Sequence, residues 1–468
     1  MKTLKPRQNV RFTAPLSSAN CHCEFCRLSK TFDAPSELLE LFMDGKIVLF
    51  AGAGISTEAK GVMPNTFYNE IRHVLGSADK TRPFPDLMQD YCSTPSGKIG
   101  LIQRLNDHFD YAFAHASIYR TATRFHRELA TFFPLDTIVT TNWDTYFEDI
   151  CAATPFIEDR DIAFWDVAAR RVLKIHGSIS NFGSIVATRT DYDLCKSRLE
   201  SGIIGAHLKS LLATRSVIFV GYSLQDDDFL QIYASVRSAL KDFHRQAYFV
   251  SPDIRDQDRT RLLEMNLHLI ETDGTFFLSQ VKAHATTKRC ISPDEMYDDV
   301  AELLSEVHKA HSWLHEAYDA RKYPQILFCS WYQDGMSHAL ERILRRRPAG
   351  TYSDLHRTTD SARSYYAFAQ RYRRLRRYGD SAYCYGYSNA YLYAALTNEE
   401  RQKYGPGLFF YFDNEMQNAR QYARALKCLP EQNKAAFKYA ERVVRKHPYL
   451  DTHVLHHMDQ LDLSLVAD

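Results

Sequence analysis

Three side chains carry most of the chemical capacity in this chain. Asn142 and Asp144 stand in Thr140-Thr141-Asn142-Trp143-Asp144, and His176 stands in Lys174-Ile175-His176-Gly177-Ser178. An amide that both donates and accepts, a carboxylate, and an imidazole that takes a proton near neutral pH suit positioning and acid–base work on a polar substrate. Each follows a short apolar or β-branched run, so each is expected at the carboxyl end of a strand. Capping of a following helix would explain Asp144 alone, and it does not require Asn142 as well. A third place of this design is Lys46 to Thr57, where the apolar run Ile47 to Ala51 meets Gly52 and Gly54. A buried strand, a glycine turn and a helix start would aim the free amides of Gly52, Ala53, Gly54, Ile55 and Ser56 at a phosphate, with the helix dipole adding to them. The ligand expected there is a nucleotide. One further cluster, Cys21-His22-Cys23-Glu24-Phe25-Cys26, offers thiolates at Cys21, Cys23 and Cys26. A structural zinc site needs four ligands and no second C-x-x-C exists, so these read as reduced thiols rather than a zinc site.

The elements that must position these residues alternate. Strands are expected at 47–51, 136–141, 172–176, 216–220, 247–251 and 267–271, with helices between them, which predicts a doubly wound parallel α/β sheet. In such a sheet the ligand crevice lies beyond the carboxyl ends of the strands. Thr141, Asn142 and Asp144 would then face the same space as the glycine turn, and the run Ser216 to Val220 again ends in small residues at Gly221 and Ser223. An amphipathic helix is expected over 36–45, an exposed loop over 78–98, helical structure over 99–133, and a loop from 185 leading to a helix ending near 214. His108, His115 and His126 fall in the helical stretch and receive no role.

Composition sets bounds on this reading. A chain of 468 residues exceeds one ordinary core, so two domains are the default. No apolar run approaches the roughly 20 residues that span a bilayer, and the polar, basic start lacks a signal-like apolar core, so a cytoplasmic protein without membrane contact is expected. Ten cysteines scattered along such a chain predict no disulfides. The net charge of +1 argues neither for nor against nucleic acid.

Taken in order, Gly52-Ala53-Gly54-Ile55-Ser56, Thr141-Asn142-Trp143-Asp144, His176-Gly177-Ser178 with Thr188-Arg189-Thr190-Asp191-Tyr192, and Val220-Gly221-Tyr222-Ser223-Leu224 with Asp226 resemble the sirtuin family. The resemblance is to the bacterial sirtuin-like domains of antiphage defence proteins, and it covers roughly residues 36–285. It implies a Rossmann-like fold with NAD as substrate: Gly52 to Ser56 at the pyrophosphate, Asn142 and Asp144 at the nicotinamide ribose and amide end, His176 as the catalytic histidine, and Gly221 to Ser223 on the adenosine side, with Thr141 among the cofactor-binding residues. Two departures are visible. Protein-deacylating sirtuins carry a four-cysteine zinc module after the His-Gly pair, whereas residues 177–215 hold only Cys195; their Asp-Phe-Arg stretch is here replaced by Pro64-Asn65-Thr66-Phe67. The absent zinc module speaks against an NAD-dependent protein deacylase, and retention of Asn142, Asp144 and His176 speaks against a non-enzymatic nucleotide sensor; hydrolysis of NAD to nicotinamide and ADP-ribose is expected, with a deacylase or ADP-ribosyltransferase as the alternative.

Beyond about residue 320 the chain turns helical and rich in Tyr and Arg. Ile326 to Trp331 reads as a short strand or a buried helix. Between Glu341 and Tyr378 stand eleven Arg and three acidic residues, with Tyr365, Tyr366 and Tyr372 interleaved. Such a stretch suits a protein or self-association surface, a nucleic-acid surface or a solvated face. The tyrosines from Tyr383 to Tyr393 read as helical core. The expected organisation is an N-terminal extension (1–35), a sirtuin-like NAD-binding catalytic domain (36–310) and a mostly α-helical regulatory or assembly domain (320–468). A homo-oligomer, or a partner defence protein such as an ATPase, translocase or Argonaute-like protein, would then control the activity, with nucleic acid reached through that partner.

Overall fold

The computed structural model describes residues 9–14, 24–222, 227–412, 414–427 and 433–446. The chain separates into two compact units, Met1–Lys288 and Arg289–Asp468.

The first unit opens with an antiparallel pair that the sequence did not announce. Strand β1 (Asn9–Phe12) is joined through α1 (Glu24–Leu28) to β2 (Phe32–Pro35), and the Phe12 and Phe32 rings stack at 5.0 Å. Lys30 then ties this segment to the sheet, donating to the Pro252 carbonyl and pairing with Glu271 at 3.1 Å. Helix α2 (Ser36–Met43) buries Leu38, Leu39 and Phe42, as its spacing predicts, and leads into β3 (Ile47–Ala51), buried at every residue.

Helices α3 (Phe67–Val74), α4 (Phe84–Cys92), α5 (Gly97–Ala114), α6 (Ala116–Ala122) and α7 (Arg124–Ala130) follow. The expected exposed loop at 78–98 is therefore corrected. Pro83 and Pro85 suggest a break, but proline is tolerated in a first helical turn, and Leu87, Met88 and Tyr91 supply a buried face on α4. Strand β4 (Thr137–Thr140), α8 (Tyr146–Cys151), a short edge strand β5 (Thr154–Phe156) and β6 (Arg171–Lys174) come next. The region after β6 holds two helices, α9 (Arg189–Ser201) and α10 (Ile203–Thr214). Thr188 is the N-cap of the first, so Arg189 to Tyr192 are helical where a loop was expected. Strand β7 (Ser216–Val220), α11 (Asp227–Leu240), β8 (Ala247–Val250), α12 (Asp256–Glu264), β9 (Leu267–Ile270) and α13 (Gly274–Thr287) complete the unit.

The seven long-range strands form one parallel sheet in the order β5-β6-β4-β3-β7-β8-β9. From β3 the chain runs outward to β4 and on to the edge strand β5, comes back to β6 between them, and then crosses through β7 to the other side. The carboxyl end of β3, flanked by those of β4 and β7, is thus where the strand order reverses, the place such sheets bind ligands. One face of the sheet packs Val48, Phe50, Val139, Leu173 and Phe219 against Leu208 and Leu212 of α10 and Tyr233 of α11. The near-continuous apolar strands follow from burial on both faces.

The second unit contains α14 (Glu295–Ala317), α15 (Ile326–Arg345), α16 (Leu355–Arg374), α17 (Tyr378–Ala395), α18 (Asn398–Lys403), a hairpin of β10 (Phe409–Tyr411) and β11 (Asn414–Met416), α19 (Ala419–Lys427) and α20 (Lys434–Lys446). Residues 326–331 are a buried helix, the second of the two alternatives. The tyrosines are core: Tyr365 stacks on Tyr387 at 4.3 Å, Tyr332 on Phe410 at 4.9 Å, and the Tyr352 and Tyr391 hydroxyls bond at 3.0 Å. Of the three tyrosines interleaved with arginine, Tyr372 is buried and Tyr365 partly so, which leaves Tyr366 exposed.

Candidate active site

The turns after β3 and β7 are built against each other. The Gly52 N–H donates to Val220 O at 3.0 Å and the Gly54 N–H to Gly221 O at 2.9 Å; Ile55 and Ser56 bond back to Gly52 and Ala53. Of the amides from 52 to 56, that of Ala53 alone lacks a partner among the described residues. The row of free amides expected there is therefore corrected, and so is the helix start. Ala53–Ile55 form a single 3-10 turn, and the next α-helix begins at Phe67. The glycines are required for another reason. A Cβ on Gly52 would lie 2.5 Å from Gly221 O and one on Gly54 2.8 Å from the same atom, so neither position admits a side chain. Gly221 itself sits at φ +62°, which glycine adopts without strain.

On the β4 side the side chains take over. Thr140 Oγ1 donates to Ala51 O at 2.9 Å and accepts the Asn142 N–H at 3.0 Å, which fixes Asn142 against the end of β3. Asn142 is buried; its Nδ2 donates to Gly52 O at 3.3 Å, while its Oδ1 has no partner. A buried acceptor left open at the mouth of a crevice is held ready for a ligand's donor. The Asp144 carboxylate accepts the Tyr146 N–H at 3.2 Å, just before α8 begins. Behind it Lys174, fully buried, donates to the Asp144 carbonyl and to Glu148 Oε1 at 2.9 Å. Burial raises the pKa of Asp144, and the Lys174 ammonium opposes that rise.

His176 is buried at the end of β6, its ring 5.0 Å from Tyr192. Its backbone is pinned on two sides, for its carbonyl accepts the Trp143 indole N–H at 3.1 Å and the Val186 N–H at 3.0 Å. Gly177, at φ +82° and with Ser184 O 2.1 Å from where a Cβ would stand, lets the chain turn away immediately after it.

A cavity of about 1310 Å³ opens at this point. It brings together Gly52, Ala53, Gly54, Ser56, Thr141, Asn142, Asp144, His176, Gly221 and Tyr222. It does not include Ile55, which is buried, and Ser223 lies outside the described residues. Of the remaining wall, Trp143 and Tyr192 stand in the sirtuin-like motifs without a role of their own, and Glu58, Phe67, Phe84 and His108 are not foreseen as site residues. Phe67, Phe84 and Trp143 form an aromatic cluster with ring centroids 5.8 to 6.2 Å apart. Phe84 falls in the stretch expected as an exposed loop and His108 on a helix, and nothing local to either residue marks it as facing a ligand. Of the thiols weighed for zinc, Cys21 and Cys23 lie outside the described residues and Cys26 is partly buried on α1. Among the described residues no three His, Cys, Asp or Glu side chains are grouped to hold a metal, and no helix is long and apolar enough to cross a membrane.

Comparison with known proteins agrees with this geometry. Residues 136–270 match the family described as a SIR2-like domain. The chain is 27% identical over 273 residues to the NAD(+) hydrolase ThsA of Bacillus cereus (strain MSX-D12), covering 57% of this chain and 54% of that protein. It is 26% identical over 239 residues to the NAD(+) hydrolase ThsA of Enterococcus faecium, covering 47% of this chain and 48% of that one. To the defense-associated sirtuin 2 of Bacillus subtilis it is 24% identical over 233 residues, 46% of this chain and 22% of the relative. The chain thus spans about half the length of the ThsA relatives. Residues 136–270, which take in β4 to β9, are thus similar to a SIR2-like domain, and the first unit resembles proteins named NAD(+) hydrolase and defense-associated sirtuin.

Proposed function

We propose that the first unit hydrolyses NAD to nicotinamide and ADP-ribose, as a gated defence effector that depletes the nucleotide. The observation that carries this reading is the meeting of Asn142, Asp144 and His176 with two interlocked glycine turns in one cavity, beside the likeness to proteins named NAD(+) hydrolase. The bond from ribose C1′ to the pyridine nitrogen breaks, its electron pair leaves with nicotinamide, and water adds to C1′. Asn142, whose Oδ1 is buried and open, orients the attacking water or a ribose hydroxyl. His176 takes up the proton released as water adds. Asp144, beside Lys174, steadies the positive charge that develops on the ribose. Gly52 to Gly54 and Thr141 line the pyrophosphate and ribose path, and Gly221 with Tyr222 the adenosine side. The α/β domain, proposed at 36–310, works in the cytoplasm, and the helical region from 320 onward controls it through self-association or a partner defence protein.

Chromatography of NAD incubated with the protein, alone and with the product of its neighbouring gene, tests the reading. Nicotinamide and ADP-ribose in equal amounts without any peptide are expected. Turnover that requires an acetyl-peptide would assign a deacylase instead, and no nicotinamide under any activating condition would overturn the proposal.

A further inference from the structure

His108 has no part in the chemistry above, yet it is deeply engaged at the cavity wall. It comes from α5, its side chain is 1% exposed, and it stands between carboxylates from two other segments. Its Nδ1 is 3.0 Å from Glu70 Oε1 of α3, and its Nε2 is 3.5 Å from Glu58 Oε1, an ion-pair distance. Glu58 belongs to the loop that leaves the glycine turn. The same Oε1 accepts the backbone N–H of Phe67, the first residue of α3, at 3.0 Å. One imidazole therefore links the outgoing loop, the start of α3, and α5. Phe67 and Phe109 each meet the His108 ring edge-on at 5.7 Å, and Phe67 meets Trp143, the neighbour of Asn142.

We propose that His108, as an imidazolium held between Glu58 and Glu70, is a positioning residue that fixes residues 56–67 as one wall of the NAD site. A neutral imidazole has a single N–H, so one of the two carboxylates would face a bare lone pair; the cation alone can serve both. The charged groups that face it are these two carboxylates. Arg104, one turn earlier on α5, donates to the Tyr91 hydroxyl, and α4 contributes the apolar Leu87 and Met88 to the same wall. Burial disfavours the cation, but Glu58 and Glu70 outweigh it, and the pKa of His108 lies above the ordinary histidine value. The sign follows: the clamp is complete below the unfolded value near 6.5 and is lost as pH rises through the raised folded value.

The ligand in this inference rests on the NAD reading, whereas the clamp can be observed without any ligand. The experiment is hydrogen exchange of residues 56–67, together with calorimetric binding of NAD, on the full chain at pH 6 and pH 8.5. In the unsubstituted protein the protection of these amides, taken relative to the intrinsic exchange rate at each pH, should fall, and NAD affinity should drop on the order of 10-fold at the higher pH, the size expected for losing one buried charge contact. In His108→Gln both should stand at the high-pH level at either pH. Glu70→Gln, whose site is partly exposed and so less prone to misfold, should move the change to lower pH by removing one carboxylate that favours the cation. A wild-type pH response retained in His108→Gln, or a segment whose protection relative to the intrinsic rate is the same at both pH values, would overturn the proposal. Should NAD bind to none of the proteins, the NAD reading fails and exchange alone decides the clamp.

Discussion

The crevice has two halves made of different material. The β3–β7 half is backbone: Gly52 and Gly54 lie against Gly221 so closely that no side chain fits, and their amides are spent on each other's turns. The β4–β6 half is side chain: Asn142 with an open acceptor, Asp144 over a buried Lys174, and His176 clamped at its carbonyl. A half without side chains can shape and hold a ligand, but it cannot move a proton. The half that holds unmatched hydrogen-bonding capacity and buried charge is where perturbed protonation, and so reaction, belongs. Separating the roles in this way also separates what substitutions do. Changes behind the β4–β6 half should cost stability, and changes at its surface should cost turnover.

The largest effect is expected at Lys174, which touches no ligand. Its ammonium is completely buried against the Asp144 carbonyl and the Glu148 carboxylate. Lys174→Met leaves Glu148 buried without its partner, and removal of one member of such a pair costs about 3–5 kcal/mol. Urea unfolding of the variant should show a loss of that size. Glu148→Gln in the same background should restore part of it, because the orphaned charge is what destabilises. No recovery in the double variant would mean that Lys174 acts by packing alone.

Asn142→Ala and His176→Ala come next, and they should break the pattern the other way. Each should lower NAD turnover roughly 100-fold or more, as expected for positioning and acid–base groups, with little change in unfolding midpoint. Asn142→Ala removes a weak bond to Gly52 O and an acceptor that has no partner to lose, so the fold has little invested in it. Full activity in the Asn142 variant would remove it from the reaction.

How far the sequence reveals such a site depends on whether a residue's job is local. The strands of the sheet from β3 onward were legible apart from β5, because apolar runs ending in Gly, Asn or His have few alternatives. Asn142, Asp144 and His176 were legible too, since a strand end fixes where its next residues go. The amides of 52 to 56 were not: whether they are free depends on β7, which is far away in sequence. Helix α4 was hidden by Pro83 and Pro85, which read as breakers although they sit at a helix start. The place of His108 between Glu58 and Glu70 was invisible, because those partners come from other segments, and a helical histidine by itself signals nothing. In the second unit, periodicity could not tell that Tyr365 and Tyr372 turn toward the core while Tyr366 does not.

His126 offers a smaller effect from the stability side of the comparison. It is wholly buried among Phe125, Tyr146 and Phe147, neither ring nitrogen has a hydrogen bond, and burial together with the Lys174 charge lowers its pKa to about 3. Its folded value is depressed, so the unfolded chain binds the proton first. Stability tied to it is present above the unfolded value near 6.5 and is lost as pH falls toward the folded one. At pH 5 the loss amounts to about 2 kcal/mol. His126→Phe should remove that share of the acid sensitivity, so the stability difference from wild type, followed by thermal melts, should shift in the variant's favour between pH 7 and pH 5. An unchanged difference across that range would show that the ring is protonated in the folded protein.

The smallest effect on the site is expected from the arginines of the second unit, and it is the one that tests control rather than chemistry. Arg345, Arg346, Arg374 and Arg376 are exposed, whereas Arg377 is committed to Asp380 at 2.6 Å and to the face of Tyr372. With Tyr365 and Tyr372 turned toward the core, the stretch offers charge without a row of stacking rings, which weakens a nucleic-acid reading and favours an acidic protein surface. Reversing the four exposed arginines to Glu should leave stability within about 0.5 kcal/mol, as surface changes do. NAD affinity should stay unchanged as well. If this face governs assembly, light scattering will show an altered mass, or the NAD-loss assay an altered response to the activating partner. Unchanged mass with unchanged activation would reduce these arginines to solvated charge and move control elsewhere in the chain. A fall in NAD affinity would break the separation itself, because a surface of the second unit would then be acting on the crevice of the first.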